Sequence, residues 1–162
     1  MKGIVIMEKG VLSSGLLALA LLTGCVTTQP QAQPPAARTD WVTPEQAVFA
    51  AANAAPQGVP GTFFMRVRAT GSQGGRFFLN SEQDYRDQRN LTVAMSATVV
   101  QQLAQRLGAE PLAALKDKDI LLQGTAVRTK IYFLVNGRAT EKYYYQTHVN
   151  VTDAAQITLV ES

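Results

Sequence analysis

The sequence predicts an α+β domain that is mostly β. Five antiparallel strands close into a small barrel, one helix lies between the third and fourth, and an N-terminal helix and C-terminal strands are added. Three observations carry this reading. Residues 62–70 alternate, with Phe63, Met65, Val67 and Ala69 on one face and Phe64, Arg66, Arg68 and Thr70 on the other, the period-two pattern of a half-buried strand. After Ser96, Val99, Val100, Leu103 and Leu107 recur at helical spacing. Asn136-Gly137 sits between two strand-like runs, a strong hairpin signal because both residues accept positive φ.

The elements follow in order. Thr43-Pro44-Glu45-Gln46 starts a helix: Thr43 is an N-cap, Pro44 suits the first helical position and Gln46 completes a capping box. The alanine-rich run that follows is helical to Ala55, where Pro56, Gly58, Pro60 and Gly61 end it. The strand at 62–70 leads to a hairpin loop at 71–75 and a second strand at 76–80 centred on Phe77, Phe78 and Leu79. Residues 81–89 are polar and irregular. A third strand at 90–95 places Leu91, Val93 and Met95 on one side. The helix capped by Ser96 stops at Gly108, and a short helix follows at 111–116. Residues 119–128 and 129–135 form one long strand or two successive ones. Strands at 141–151 and 156–160 complete the chain.

Three strands, a helix and two strands is the element order of an OB-fold, a five-stranded Greek-key barrel. Another small α+β domain with an antiparallel sheet is the alternative. A closed barrel also suits a domain with no disulfide, because closure removes exposed strand edges. The segment 79–92 resembles an element, roughly FLNSE-x-DYRD-xx-NLTV, of small bacterial OB-like domains of unassigned role. That resemblance implies a fold and no activity.

The first forty residues carry a different message. Lys2 and Lys9 precede an apolar run at 11–22, shorter than the roughly 20 residues that span a bilayer core. This is the build of an export signal, and Met7 offers an alternative start within it. Leu22-Thr23-Gly24-Cys25 resembles the lipobox of bacterial lipoproteins. The resemblance implies cleavage after residue 24, a diacylglycerol thioether on Cys25 and an N-acyl chain on the new terminus. An ordinary secretory signal and a single membrane anchor are the alternatives. Val26 stands where an aspartate would retain such a protein in the inner membrane, so the expected address is the periplasmic face of the outer membrane. Residues 25–39 are rich in Pro, Gln, Ala and Thr and read as a disordered tether. The folded domain is expected over 40–162.

Composition narrows the function. Removing residues 1–24 leaves 13 of the 15 basic and 11 of the 12 acidic residues, a small excess unlike that of a dedicated nucleic-acid binder. The export signal also argues against nucleic acid as a partner. Cys25 is the sole cysteine, so an acylated chain has no thiol left and packing alone holds the domain.

The expected ligand-binding residues are Arg66, Arg68, Arg76, Phe78, Asp84, Tyr85, Arg86, Arg128 and Lys130. Basic and aromatic side chains on an OB barrel are what polyanions dock against, although a solvated outer face has the same composition. Asp84 and Asp87 pair with Arg86 and Arg89 or cap a turn, and Asn80 and Asn90 bond backbone at the strand ends. A calcium site at Asn80, Glu82, Asp84 and Asp87 lacks the D-x-D-x-D-G spacing. Of Tyr143, Tyr144 and Tyr145, the middle ring faces away from its neighbours; packing and sugar stacking are both open to them. His148 is the only histidine, without apparent metal-ligand partners. No G-x-S-x-G, P-loop or G-x-G-x-x-G occurs. The expectation is a non-enzymatic binding module for an envelope protein, a glycan or another polyanion, with no cofactor. An assembly accessory without a small ligand is the alternative, and an enzyme using the 81–90 loop comes after it.

Overall fold

The computed structural model describes residues 41–160. The expected signal at 1–24, the lipidation site Cys25 and the tether at 25–39 lie outside the described residues. The described residues form a mixed α+β fold of seven strands and three α-helices in the order α1 (Pro44–Ala54), β1 (Val59–Arg66), β2 (Ala69–Gln73), β3 (Arg76–Asn80), β4 (Leu91–Ser96), α2 (Ala97–Leu107), α3 (Pro111–Leu115), β5 (Asp119–Val135), β6 (Arg138–Val151) and β7 (Ile157–Leu159). A short 3₁₀ turn, Ala154–Gln156, precedes β7.

One sheet runs β1-β5-β6-β4-β3-β2, with β7 beside β5. Every pair within this path is antiparallel except β4–β6, which is parallel. The two ends of the path, β1 and β2, are consecutive in the chain and separated only by Val67 and Arg68.

That break corrects the single strand expected at 62–70. Val67 bonds the 117–118 segment through both its N–H and its C=O, whereas the N–H of Arg68 donates to Asn80 O. The chain therefore leaves β5 and joins β3 within two residues. Side-chain alternation continues across the switch, because Val67 is as buried as Phe63 and Met65, and so the pattern alone does not reveal it. The loop expected at 71–75 also shrinks. Residues 71–73 pair with β3, and only Gly74 and Gly75 turn, at φ 58° and 75°, the positive values that a tight two-residue hairpin needs. Residues 119–135 form one strand, β5.

The helices form for local reasons and are held by burial. Thr43 Oγ1 accepts from Gln46 N–H while Gln46 Oε1 accepts from Thr43 N–H, the reciprocal box that satisfies two orphan donors. Ser96 caps α2 through the N–H of Val99, and Gly108 ends it at φ 66°. Helix α1 buries Ala47 and Ala51, and α2 buries Val99 and Leu103, in one cluster with Phe63, Met65, Leu79, Leu122, Val149 and Ile157. Burying a side chain of Leu or Ile size contributes about 1.5–3 kcal/mol, far more than one cap. Arg106 of α2 adds a clamp by donating to the carbonyls of Ala154 and Ile157.

Candidate functional site

The 81–90 loop is organised around one buried amide. Asn90 is 1% exposed. Its Nδ2 lies 2.9 Å from Thr92 Oγ1, 3.1 Å from Asn80 Oδ1 and 3.2 Å from Tyr85 O. Its Oδ1 accepts from Glu82 N–H at 3.0 Å and from Ser81 Oγ. Ser81 Oγ in turn accepts from Leu91 N–H. Burial forces this closure, since an unpaired amide in a dry interior is costly. Among the described residues, every buried side-chain nitrogen and oxygen has a partner.

Outside that knot the loop repeats one device. Asp84 Oδ1 accepts from the N–H of Arg86, and its carboxylate pairs with the Arg86 guanidinium; Asp87 does the same with Arg89. The Arg89 side-chain bonds hold the Asp87 carboxyl down at about 2, and Arg86 lowers Asp84 in the same way. Both expected roles, turn capping and ion pairing, are thus filled by the same carboxylates. Among the described residues no group of three or more His, Cys, Asp or Glu is placed to hold a metal.

The hairpin of β5 and β6 outruns its neighbours. Pairing of β1 with β5 ends at Val59↔Ala126, and pairing of β4 with β6 ends at Leu91↔Thr147. Beyond those positions the two strands pair only with each other, as far as Val135↔Arg138. Alternation then puts Arg128, Lys130 and Tyr132 on the face that, nearer the core, carries buried Leu122 and Ala126. Tyr143 and Tyr145 join them from β6, because Lys130 pairs with Tyr145 and Tyr132 with Tyr143.

On this face the cations stack on the rings. Arg128 Cζ lies 3.9 Å from the Tyr145 centroid and Lys130 Nζ lies 4.2 Å from that of Tyr143. Tyr143 meets Tyr145 edge-on at 5.6 Å and Tyr132 at 6.1 Å. Each exposed cation–π contact contributes about 0.5–1 kcal/mol. More important is placement, because a stacked guanidinium or ammonium has less freedom to lose when it meets an anion. Among the described residues neither Arg128 nor Lys130 has an ion-pair partner.

At the base of this ladder lies a cleft of about 410 Å³ between α1, the 81–90 loop and the ribbon, lined by Val48, Ala52, Arg86, Gln88, Arg128 and Tyr145 among others. The opposite face of the ribbon ties the loop in place. Gln146 Nε2 donates to Tyr85 O at 2.9 Å and lies 3.2 Å from Tyr144 Oη, and Tyr144 packs 5.3 Å from Phe133. Burial pushes the Tyr144 phenol upward. Because Gln146 donates through Nε2, its Oε1 is the acceptor for His148 Nε2 at 2.7 Å, so His148 carries its proton there. Burial, reinforced by the Arg76 charge, pushes His148 down to about 4.

The nine expected residues therefore divide. Arg86 and Arg128 meet at the cleft, Lys130 continues the ladder, and Asp84 and Tyr85 position the loop. The other four lie on β1, at the β1–β2 switch and on β3, and do not line the cleft. Arg66 pairs with Asp119 at 3.7 Å, Arg76 donates to Asn150 Oδ1 at 2.7 Å, Arg68 sits at the β1–β2 switch, and Phe78 is half-buried in β3. Tyr143, Tyr145, Gln88 and the α1 residues Val48 and Ala52 were missing from that set. The signal for the tyrosines is the Arg-x-Lys-x-Tyr run facing Tyr-x-Tyr across Asn136-Gly137. Nothing in residues 44–54 foretells that α1 walls a cleft.

No family model matches this chain, and no curated protein matches it. Solved structures similar to it at low identity include two aspartyl-tRNA synthetases. An aspartyl-tRNA synthetase from Entamoeba histolytica is 13% identical, with a TM-score of 0.41, and the alignment covers 98% of this chain and 28% of that one. A Leishmania major Friedlin protein described as an aspartyl-tRNA synthetase is 12% identical, with a TM-score of 0.38, over 81% of this chain and 23% of that one. This chain thus spans about a quarter of the length of each. At such scores the likeness carries no argument about function.

Proposed function

We propose that this chain is a lipid-anchored envelope protein whose OB-like domain binds an anionic envelope glycan, or a comparable polyanion, without catalysing a reaction. The anchor would be the acylated Cys25 on the periplasmic face of the outer membrane, and the tether at 25–39 would give the domain reach. The OB-like reading is supported by the pairing. Both ends of the sheet path belong to one stretch of chain, Val59 to Gln73, β4 and β6 are parallel, and α2 stands between β4 and β5.

The observation that carries the binding reading is the ladder. Arg128 and Lys130 are stacked on Tyr145 and Tyr143, without carboxylate partners among the described residues, above a cleft. Between residues 128 and 146 the ribbon holds four cations, Arg128, Lys130, Arg138 and Lys142, against one acid, Glu141. Tyrosine faces suit the C–H surface of sugar rings, and the adjacent cations suit their carboxylate, sulfate or phosphate groups. An assembly accessory without a small ligand remains a second reading, favoured by exposed Phe133, Leu134 and Val135 at the hairpin tip.

Titration with a sulfated polysaccharide and with muramyl-peptide fragments tests the site. The double variant Arg128→Ala/Lys130→Ala should bind at least tenfold more weakly, and added salt should weaken the parent. Arg66→Ala, already paired to Asp119 on another strand, should bind as the parent does. Equal affinity of the parent and the double variant would sink the proposal. Palmitate labelling lost in Cys25→Ser supports the anchor, and retained labelling removes it.

A further inference from the structure

We infer that the tip of the β5–β6 hairpin docks into the surface of an anionic phospholipid bilayer. This goes beyond the glycan reading: it shares Lys130, Tyr132 and Tyr143 with the ladder but rests on the apolar tip that the ladder does not use. Phe133, Leu134 and Val135 are 47%, 59% and 60% exposed, and Tyr132 and Tyr143 just behind them are 47% and 48% exposed. The turn is closed by Asn136 and Gly137, both at positive φ.

Two features choose a bilayer over a protein partner. The first is that the apolar residues are not confined to one face. Successive strand residues point to opposite sides, so Phe133 and Val135 project one way while Tyr132 and Leu134 project the other. A flat interface covers one side of a ribbon, whereas immersion covers both. From residue 132 to 135 the strand rises about 10 Å, close to the roughly 5–10 Å depth at which interfacial elements sit in the headgroup and upper acyl region. The second feature is the order of side chains along the ribbon. Behind the apolar β5 tip come Tyr132 and Tyr143, the amphipathic rings favoured at membrane interfaces, and then Lys130, while on β6 Lys142 lies one residue nearer the turn than Tyr143 and Arg138 pairs with Val135 beside it, with Glu141 the one acid among them. These cations are placed to meet headgroup phosphates while the tip enters the acyl boundary, and juxtamembrane cations of this kind strengthen attraction to anionic leaflets.

The experiment uses the full chain carrying Cys25→Ser, which has no thiol. Leu134→Cys or Gln73→Cys, the latter at the β2–β3 turn, is then labelled with an environment-sensitive fluorophore. Intact Trp41 emission verifies folding. With phosphatidylglycerol vesicles the label at 134 should shift to the blue and become protected from iodide, less so with phosphatidylcholine, while the label at 73 stays in water. Adding Phe133→Asp should reduce the partitioning reported at 134 at least tenfold. The inference is overturned if the label at 134 stays in water, if 73 and 134 respond alike, if lipid charge makes no difference, or if only an envelope protein fraction elicits the shift. Because the readout is local, residual affinity of residues 1–24 for lipid does not imitate it. Arg128→Ala/Lys130→Ala, scored by glycan binding, and Phe133→Asp, scored by depth, let the two proposals fail separately.

Discussion

Replacing Asn90 should unseat the 81–90 loop, and the cost follows from its bonds. Asn90→Ala removes an acceptor from Glu82 N–H and the Ser81 hydroxyl and a donor from Asn80 Oδ1, Thr92 Oγ1 and Tyr85 O. Some partners keep a second bond: Tyr85 O retains Gln146 Nε2, Asn80 Oδ1 retains Thr92 Oγ1, and Ser81 Oγ retains Leu91 N–H. Glu82 N–H keeps none among the described residues. Five bonds go, but with those second bonds kept the net loss is two or three at about 1 kcal/mol each, and with Glu82 N–H orphaned at about 1 kcal/mol the cost is roughly 3–4 kcal/mol. Asn90→Asp separates hydrogen bonding from shape. It preserves the acceptor toward Glu82 but turns a carboxylate oxygen toward Asn80 Oδ1 and Tyr85 O. At pH 7 it should destabilise at least as much as Asn90→Ala. Relative to the parent at each pH, it should recover once the new carboxyl protonates. Urea denaturation followed by Trp41 fluorescence suits the measurement, because this sole tryptophan packs 5.5 Å from Phe64 of β1. Hydrogen exchange of residues 82–90 reports the loop directly. A loss below 1 kcal/mol in Asn90→Ala, with exchange in the loop unchanged, would refute the idea that this amide holds the loop.

Two further outcomes follow from burial. His148, held down at about 4 against an ordinary 6.5, resists protonation in the fold, so the unfolded chain binds more protons in that window. Its effect on stability is constant above about pH 6.5 and becomes a loss approaching about 3 kcal/mol as pH falls to 4. His148→Gln should flatten this slope, while the loss due to Asp87 occurs lower, between 3.8 and about 2; identical slopes in parent and variant between pH 6.5 and 4 would exclude His148. Leu103→Ala, at a fully buried position of α2, should cost about 2–5 kcal/mol in the same urea assay, and a cost below 1 kcal/mol would mean that α2 is not packed as described.

Local chemistry made much of the fold legible. The caps at Thr43 and Ser96, the stop at Gly108 and the turn at Asn136-Gly137 depend on neighbours in sequence, and all four stand where the residues put them. The faces of the long hairpin were legible for the same reason. Between Tyr132↔Tyr143 and Leu134↔Ala139 the register slips by two residues. A slip of two leaves every side chain on its face and changes only its direct partner. The pairing of Asp84 with Arg86 and of Asp87 with Arg89 spans two residues, so it too was accessible.

What escaped the sequence depended on distance along the chain. The switch at Val67 and Arg68 arises because Lys118 and Asn80 meet one strand from opposite sides, while side-chain alternation continues unbroken. Arg106 reaches carbonyls about fifty residues away, and Gln146 reaches Tyr85 across sixty-one. The cleft needs α1, the 81–90 loop and the ribbon together. The sequence by itself determined where the helices start and stop, roughly where most strands lie, which faces are apolar and which loop residues pair locally. Tertiary structure alone decided that Arg128 and Lys130 stack on Tyr145 and Tyr143 while Arg66 and Arg76 are bound elsewhere. The physical reason is that periodicity encodes the direction of a side chain, whereas a site is made by the long-range pairing that selects its neighbours.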